Sequence, residues 1–206
     1  MPLSRPAFLA FAQTLSKAVA PLVPGEAALG ALAAASDILG FSKGDHLLRE
    51  GEVAGYLLFV SRGLLRYYYL DAATGEERTG QFFDEGQVFT DAASFLSQTP
   101  ATQFIDALEA GEVLRIPRQA LYDAYTQDHA IERFGRLMLE NALVGSQRRA
   151  GNLLRLPPEE LYRTFVTTRP EVARRVPQYL IAGYLGITPE ALSRIRGRLA
   201  RQPGGQ

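Results

Sequence analysis

Toward its C-terminus the chain reads Pro177-Gln-Tyr-Leu-Ile-Ala-Gly-Tyr-Leu-Gly-Ile-Thr-Pro-Glu-Ala-Leu-Ser-Arg-Ile-Arg-Gly-Arg-Leu199. Pro177 suits the first turn of a helix, where no amide donor is missed. Ala182 is small enough for a second helix to cross closely. Four residues on, Gly186 can take the positive φ that follows a helix end. Thr188 is an N-cap candidate, which puts Pro189 on the first helical position. Leu192, Ile195 and Leu199 then share one face, at i, i+3 and i+7. At about 100° per residue, Ser193, Arg194, Gly197, Arg198 and Arg201 share the opposite face. This is helix-turn-helix spacing. An arginine face over an apolar underside suits the major groove, because guanidinium groups bond guanine edges or neutralise phosphates. The candidate contacts are Gln178, Thr188, Ser193, Arg194, Arg196, Arg198 and Arg201. A plain helical hairpin with a solvated arginine face is the other reading.

Charge along the chain favours the first. The 206 residues hold 22 Lys+Arg and 22 Asp+Glu, a neutral total. Residues 1–140 carry 11 basic and 18 acidic residues, a net of −7. Residues 141–206 carry 11 basic and 4 acidic residues, a net of +7, and every one of those cations is Arg. One end of the molecule is therefore suited to a polyanion.

Working back from this segment, the helical period covers residues 158–168, 170–175, 177–184 and 188–201. Leu156-Pro157-Pro158 interrupts it, since proline cannot continue a helix. Before the prolines a longer helix is predicted over 129–154. Its apolar residues Ile131, Phe134, Met138 and Ala142 step by three or four, with Leu137 and Leu139 widening the stripe. Such a stripe needs a partner surface, and a second copy of itself is the simplest one. Packing back on its own domain is the alternative.

Between residues 38 and 116 the texture is different. Short aromatic and β-branched runs at 46–48, 56–60, 64–70, 81–83 and 112–116 are punctuated by Gly44, Gly51, Gly63, Gly75, Gly80, Gly86 and Gly111. Closely spaced turn signals without long helices predict an antiparallel barrel or jelly roll. Ala72-Ala73-Thr74-Gly75 reads as a hairpin loop, Glu76-Glu77-Arg78 as its solvated flank, and Tyr67, Tyr68 and Tyr69 as alternating between core and surface. Residues 6–20 and 26–35 read as two helices ahead of the barrel. The fold class is therefore α+β: a jelly-roll domain with flanking helices over 1–128, a long helix suited to dimerisation over 129–156 and an all-helical domain with helix-turn-helix spacing over 157–206.

Composition excludes much else. There is no Cys, so disulfides, thiolate metal sites and iron–sulfur clusters are out. His46 and His129 lie on distant segments and are too few for a histidine-rich metal site, such as an enzyme built on a jelly roll would need. No Ser/His/Asp arrangement or phosphate-binding loop pattern is evident. No metal, cofactor or enzymatic activity is expected. No apolar run approaches the roughly 18 residues of a membrane span, and the first helix lacks the pattern of a signal peptide, so a cytoplasmic location is expected.

The chain resembles the Crp/Fnr family of bacterial transcription regulators, and more closely its short Bacteroidetes-type members. The segments that carry the resemblance are Lys43-Gly-Asp-His-Leu-Leu-Arg-Glu-Gly51, Tyr56-Leu-Leu-Phe-Val-Ser-Arg-Gly-Leu-Leu-Arg-Tyr67, Asp84-Glu-Gly-Gln-Val-Phe89, Ser94-Phe-Leu96, Pro100-Ala-Thr102 and Ile105-Asp-Ala-Leu-Glu109. The most specific are Val176-Pro-Gln-Tyr-Leu-Ile-Ala182 and Leu192-Ser-Arg-Ile-Arg196. The resemblance implies a cyclic-nucleotide-binding fold, a homodimer joined by the long helix, double-stranded DNA as partner, and a small-molecule effector pocket beside that helix. The pocket would involve Gly86, Gln87, Val88, Phe89, Ala101 and Thr102.

Two departures temper what it implies. In relatives that bind cyclic AMP, a short helix after a Gly-Glu pair offers amides to the phosphate, and an Arg followed by Ser or Thr clamps it. Here Gln87 follows Gly86, and Ala101 stands at the Arg position before Thr102. A lost charge-assisted pair costs roughly one to two decades in affinity, and Asp91 and Asp106 are expected to add repulsion. Tight cyclic AMP binding is therefore not expected, and a filled core without ligand is an open alternative. The second departure is at the C-terminus. The recognition helix is followed by Gln202-Pro-Gly-Gly-Gln206, read as disordered, where the family continues into a β-hairpin wing. Fewer phosphate contacts and a shallower salt dependence are expected. A ligand-sensing module whose helical tail binds a protein is the competing function.

Overall fold

The computed structural model describes residues 5–201. The expectations for Gln202–Gln206 lie outside them.

Two helices open the described chain. In α1 (Pro6–Val19), Phe8, Phe11, Leu15 and Val19 are buried along one stripe. In α2 (Glu26–Ala35), Ala28, Leu32 and Ala33 are buried. Eight strands follow: β1 (Asp37–Phe41), β2 (His46–Leu48), β3 (Tyr56–Arg62), β4 (Leu65–Leu70), β5 (Glu77–Phe83), β6 (Val88–Phe89), β7 (Phe104–Ala107) and β8 (Gly111–Pro117). They form two four-stranded sheets, ordered β1-β8-β3-β6 and β2-β7-β4-β5. The crossed order is that of the jelly roll the turn spacing predicted. The β3–β8 pair is the spine of the first sheet, with Leu57 opposite Ile116 and Phe59 opposite Leu114.

Strand β3 is buried at four successive positions, Leu57 through Val60. Alternation is lost because both faces are covered, one by the second sheet and one by α1. The Phe11 ring lies 5.8 Å edge-on from Phe59 and 5.8 Å edge-on from Phe134. Helix α1 is thus wedged between β3 and the start of the long helix.

Helix α3 (Ala92–Ser97), absent from the sequence reading, interrupts the strands, and α4 (Arg118–Gln127) leads into α5 (His129–Arg155). Asp128 starts α5. Its carboxylate accepts the amides of Ala130 at 2.8 Å and Ile131 at 3.1 Å, and also that of Gly25 at 2.6 Å. Burial alone would raise its pKa, but these three donors and the nearby His129 hold the carboxyl below the usual range. At 27 residues, α5 is about 40 Å long.

One correction concerns this helix. Ile131 and Phe134 were expected to face a second copy, but they are 0% and 2% exposed in the chain's own core. Phe11 claims that part of the stripe. Met138 packs partly against the same core. Ala142 is exposed, as are Leu139, Leu143, Val144, Leu153 and Leu154. The unpartnered apolar surface therefore begins about two turns later than expected.

Four helices end the described chain: α6 (Pro158–Thr168), α7 (Pro170–Arg175), α8 (Gln178–Leu185) and α9 (Pro189–Arg201). By compactness the chain divides into two units. One runs to Tyr67 and resumes over Phe82–Leu143; the other takes Tyr68–Gln81 and continues from Val144. Within the second, Gly75 closes the hairpin loop at φ +71°, and Asp71 accepts the amides of Ala73 and Thr74. No helix among the described residues is long and apolar enough to cross a membrane.

Candidate nucleic-acid interface

Helices α8 and α9 are joined by a turn whose hydrogen bonds explain its sequence. Gly186 sits at φ +69°. Its amide donates to Gly183 O at 3.2 Å, while the Ile187 amide donates to Ala182 O at 3.0 Å. These two bonds satisfy helix-end carbonyls only when the residue between is left-handed, which a side chain would strain. Thr188 then caps α9, its hydroxyl accepting the Ala191 amide at 3.2 Å. Glu190 in the first turn is held below the usual carboxylate range by its own amide and the Thr188 hydroxyl. Ala182 is fully buried, and Leu192 and Ile195 pack beneath α9 at 1% and 3% exposure. The Leu199 side of the stripe is only half-buried.

The opposite face is open. Thr188, Ser193, Arg194, Arg196, Arg198 and Arg201 are all exposed. Among the described residues, none forms an ion pair with Arg194, Arg196 or Arg201. Arg198 differs: its Nη2 lies 3.2 Å from Glu159 Oε2, and the Arg163 guanidinium donates to Glu159 Oε1, also at 3.2 Å. Arg163 above all holds the Glu159 carboxyl below its usual pKa; desolvation opposes this, and Arg198 adds to the lowering. Glu159 was missed in the sequence, although a glutamate on the first turn of α6 followed by Arg163 at i+4 was the local sign of it. Gln178 is half-buried at the start of α8, and its Oε1 is enclosed without a hydrogen-bond partner.

Arg149 on the C-terminal half of α5 also belongs to this unit. Its guanidinium lies 3.8 Å from the centre of the Tyr184 ring, and its Nη2 donates to Tyr184 O at 2.9 Å. Helix α8 is thereby tied to α5 by a cation–π contact and a hydrogen bond.

The expected effector residues do not converge. Gly86 and Gln87 form a turn before β6: the Gly86 amide donates to Val60 O, and Gln87 Oε1 accepts the Asp84 amide at 3.1 Å. Val88 and Phe89 continue into β6, where the Phe89 ring stacks on Phe83 at 4.0 Å. Ala101 is buried with its backbone tied to Gly51 and Glu52, while Thr102 is exposed. None of the six lines the cavity beside α3, α4 and α5 or the one bordered by Leu47, Leu48 and Asp91. The short helix begins four residues beyond Gly86-Gln87, after Asp91, whose own carboxylate accepts the Ser94 amide at 3.1 Å. The expected repulsion from Asp106 is corrected as well. Arg66 Nε and Nη2 grip its two oxygens at 2.8 and 3.0 Å, so its charge is matched internally. Among the described residues there is no cluster of three or more His, Asp or Glu side chains that could hold a metal ion.

The family model of the cyclic nucleotide-binding domain matches residues 39–128. No curated protein matches the chain. Among solved structures, FixK2 from Bradyrhizobium japonicum superposes with a TM-score of 0.71 at 24% identity, over 81% of this chain and 85% of that one. The c-di-GMP-responsive global regulator CLP of Xanthomonas campestris gives a TM-score of 0.68 at 17% identity, over 85% and 92%. The Thermus thermophilus catabolite activator protein gives 0.55 at 17%, over 93% and 91%. Residues 39–128 thus carry the fold of a cyclic nucleotide-binding domain. The chain shares its fold with the transcription regulators of the Crp/Fnr family.

Proposed function

We propose that the chain is a DNA-binding transcription regulator of the Crp/Fnr type that works as a homodimer. Residues 1–128 would sense, 129–156 would pair two copies, and 157–206 would read double-stranded DNA. The observation that carries this reading is the exposed arginine row on α9, set on a capped and correctly turned helix pair. Base edges and phosphates of the major groove are its natural counterpart. Pairing would use Ala142 and the exposed apolar residues of α5 from Val144 onward. Two recognition helices would then address half-sites about 34 Å apart, one turn of DNA. The chemistry is recognition, not catalysis. Cyclic AMP is not its effector, because Ala101 offers no cation to a phosphate and Arg66 is engaged by Asp106.

The test is a gel shift on a palindromic promoter fragment selected with the purified chain. Binding should weaken steeply with salt and fall when Arg194 or Arg196 is replaced by Ala. Equal binding by both variants would overturn the assignment of this face. A complex formed only with a protein would support the competing reading.

A further inference from the structure

One cavity of the barrel unit lies where α3, α4 and α5 meet; Thr90, next to Phe89, lines it, but none of the six residues expected to form an effector pocket does. It has a volume of about 380 Å³, and its wall includes the apolar side chains of Leu57, Phe95, Leu96, Leu121, Leu139 and Leu143. That volume falls within the roughly 300–1,000 Å³ of small-molecule sites, and apolar walls with a few placed polar groups are their usual make-up.

A polar group in this wall, the Tyr125 hydroxyl, stands against α5. A Cβ at Gly135 would collide with the ring and hydroxyl of Tyr125, so only a glycine lets that side chain lie across α5. Tyr125 and Gly135 both line the cavity. The Tyr125 hydroxyl has no hydrogen-bond partner among the described residues. Burial, with Tyr122 and Glu132 nearby, raises its pKa, so the phenol stays protonated and can donate. The charged groups of the wall are Glu132, Arg136 and Glu140, and Arg136 is paired with Glu140 at 2.7 Å. Glu132 faces His129 Nδ1 at 3.6 Å, outside the wall, so the wall's own charged groups keep a net negative charge, which disfavours an anionic occupant.

We propose that this cavity binds a neutral, largely apolar small molecule whose single hydrogen-bond acceptor meets the Tyr125 hydroxyl. The ligand class differs from a cyclic nucleotide in charge and in polarity. The proposal concerns binding at this cleft and does not depend on the chain binding DNA.

The probe is Nile red, a neutral dye with a ring carbonyl, titrated into the full chain without DNA and followed by fluorescence. Saturable binding at one site per chain in the micromolar range is expected. Tyr125→Phe keeps the shape and should weaken binding about two- to tenfold, the worth of one hydrogen bond. Ala92→Phe, which adds a ring to an exposed wall residue, should weaken it more than tenfold, and Leu96→Trp on the same wall repeats the blocking test. Circular dichroism establishes that each variant is folded. Non-saturable binding, or unchanged affinity in Tyr125→Phe and both blocking variants, overturns the proposal. So does an apparent Kd that rises with protein concentration in step with self-association, which would make the cleft a contact between copies.

Discussion

Glu159 holds Arg198 at 3.2 Å, so one arginine of the proposed DNA-reading face is engaged by its own chain. DNA phosphates must compete with that carboxylate. Glu159→Gln should therefore tighten DNA binding about two- to fivefold at low salt, with the gain fading at high salt, since both groups are partly exposed. Fluorescence anisotropy across a salt series measures this. Weaker binding by the variant would show that Glu159 positions Arg198 rather than masks it.

The unpaired guanidinium groups act differently. Replacing Arg194, Arg196 or Arg201 by Ala should lower the salt slope of DNA binding by about one for each that meets a phosphate. A residue that reads a base edge should instead relax sequence preference at one operator position, by about 1–3 kcal/mol. The two outcomes separate when affinities are compared on specific and scrambled duplexes.

Arg66 and Asp106 are 4% and 8% exposed, so neither charge can be left alone cheaply. Asp106→Ala should destabilise the barrel by about 3–5 kcal/mol, because the buried guanidinium loses the carboxylate that grips two of its nitrogens. Replacing both residues by Met and Leu together should recover most of the loss. Urea unfolding of the single and double variants checks both numbers.

Asp128 joins three amides at the head of α5. Asp128→Ala should cost about 1–2 kcal/mol, as for a lost N-cap. The folded carboxyl has a pKa below its unfolded value. Its stabilisation is then complete above the unfolded value, about 3.9, and is lost as pH falls through the folded one. Wild type and Asp128→Asn should accordingly converge in stability below pH about 4 in chemical denaturation.

The two ends of the α5 stripe should respond oppositely. Phe134→Ala removes a core ring and should cost about 3–5 kcal/mol. Val144→Glu or Ala142→Glu, at exposed positions, should leave the monomer stable and dissociate the homodimer in sedimentation velocity. Unaltered self-association in both glutamate variants would move the dimer contact elsewhere.

What the sequence disclosed follows from how local each cause is. Gly186, Thr188 and Pro189 mark their turn within four residues, and the structure places a left-handed residue and an N-cap where they predict. The jelly roll was legible from glycine spacing, but its shortest parts were not. Strand β6 has two residues, and α3 has six. The Arg66–Asp106 pair joins residues 40 apart, and no pattern along the chain announces it. The stripe on α5 misled for a related reason. Ile131 and Phe134 look the same to periodicity whether a second copy or Phe11, more than 100 residues away, covers them.

The exposed row on α9 is guanidinium throughout, as are all the cations after residue 140. Acetylation and other amine-directed acylations, which erase charge on lysine, find no side-chain target in that segment. The electrostatic pull of this end of the molecule is thereby insulated from the metabolic supply of acyl donors.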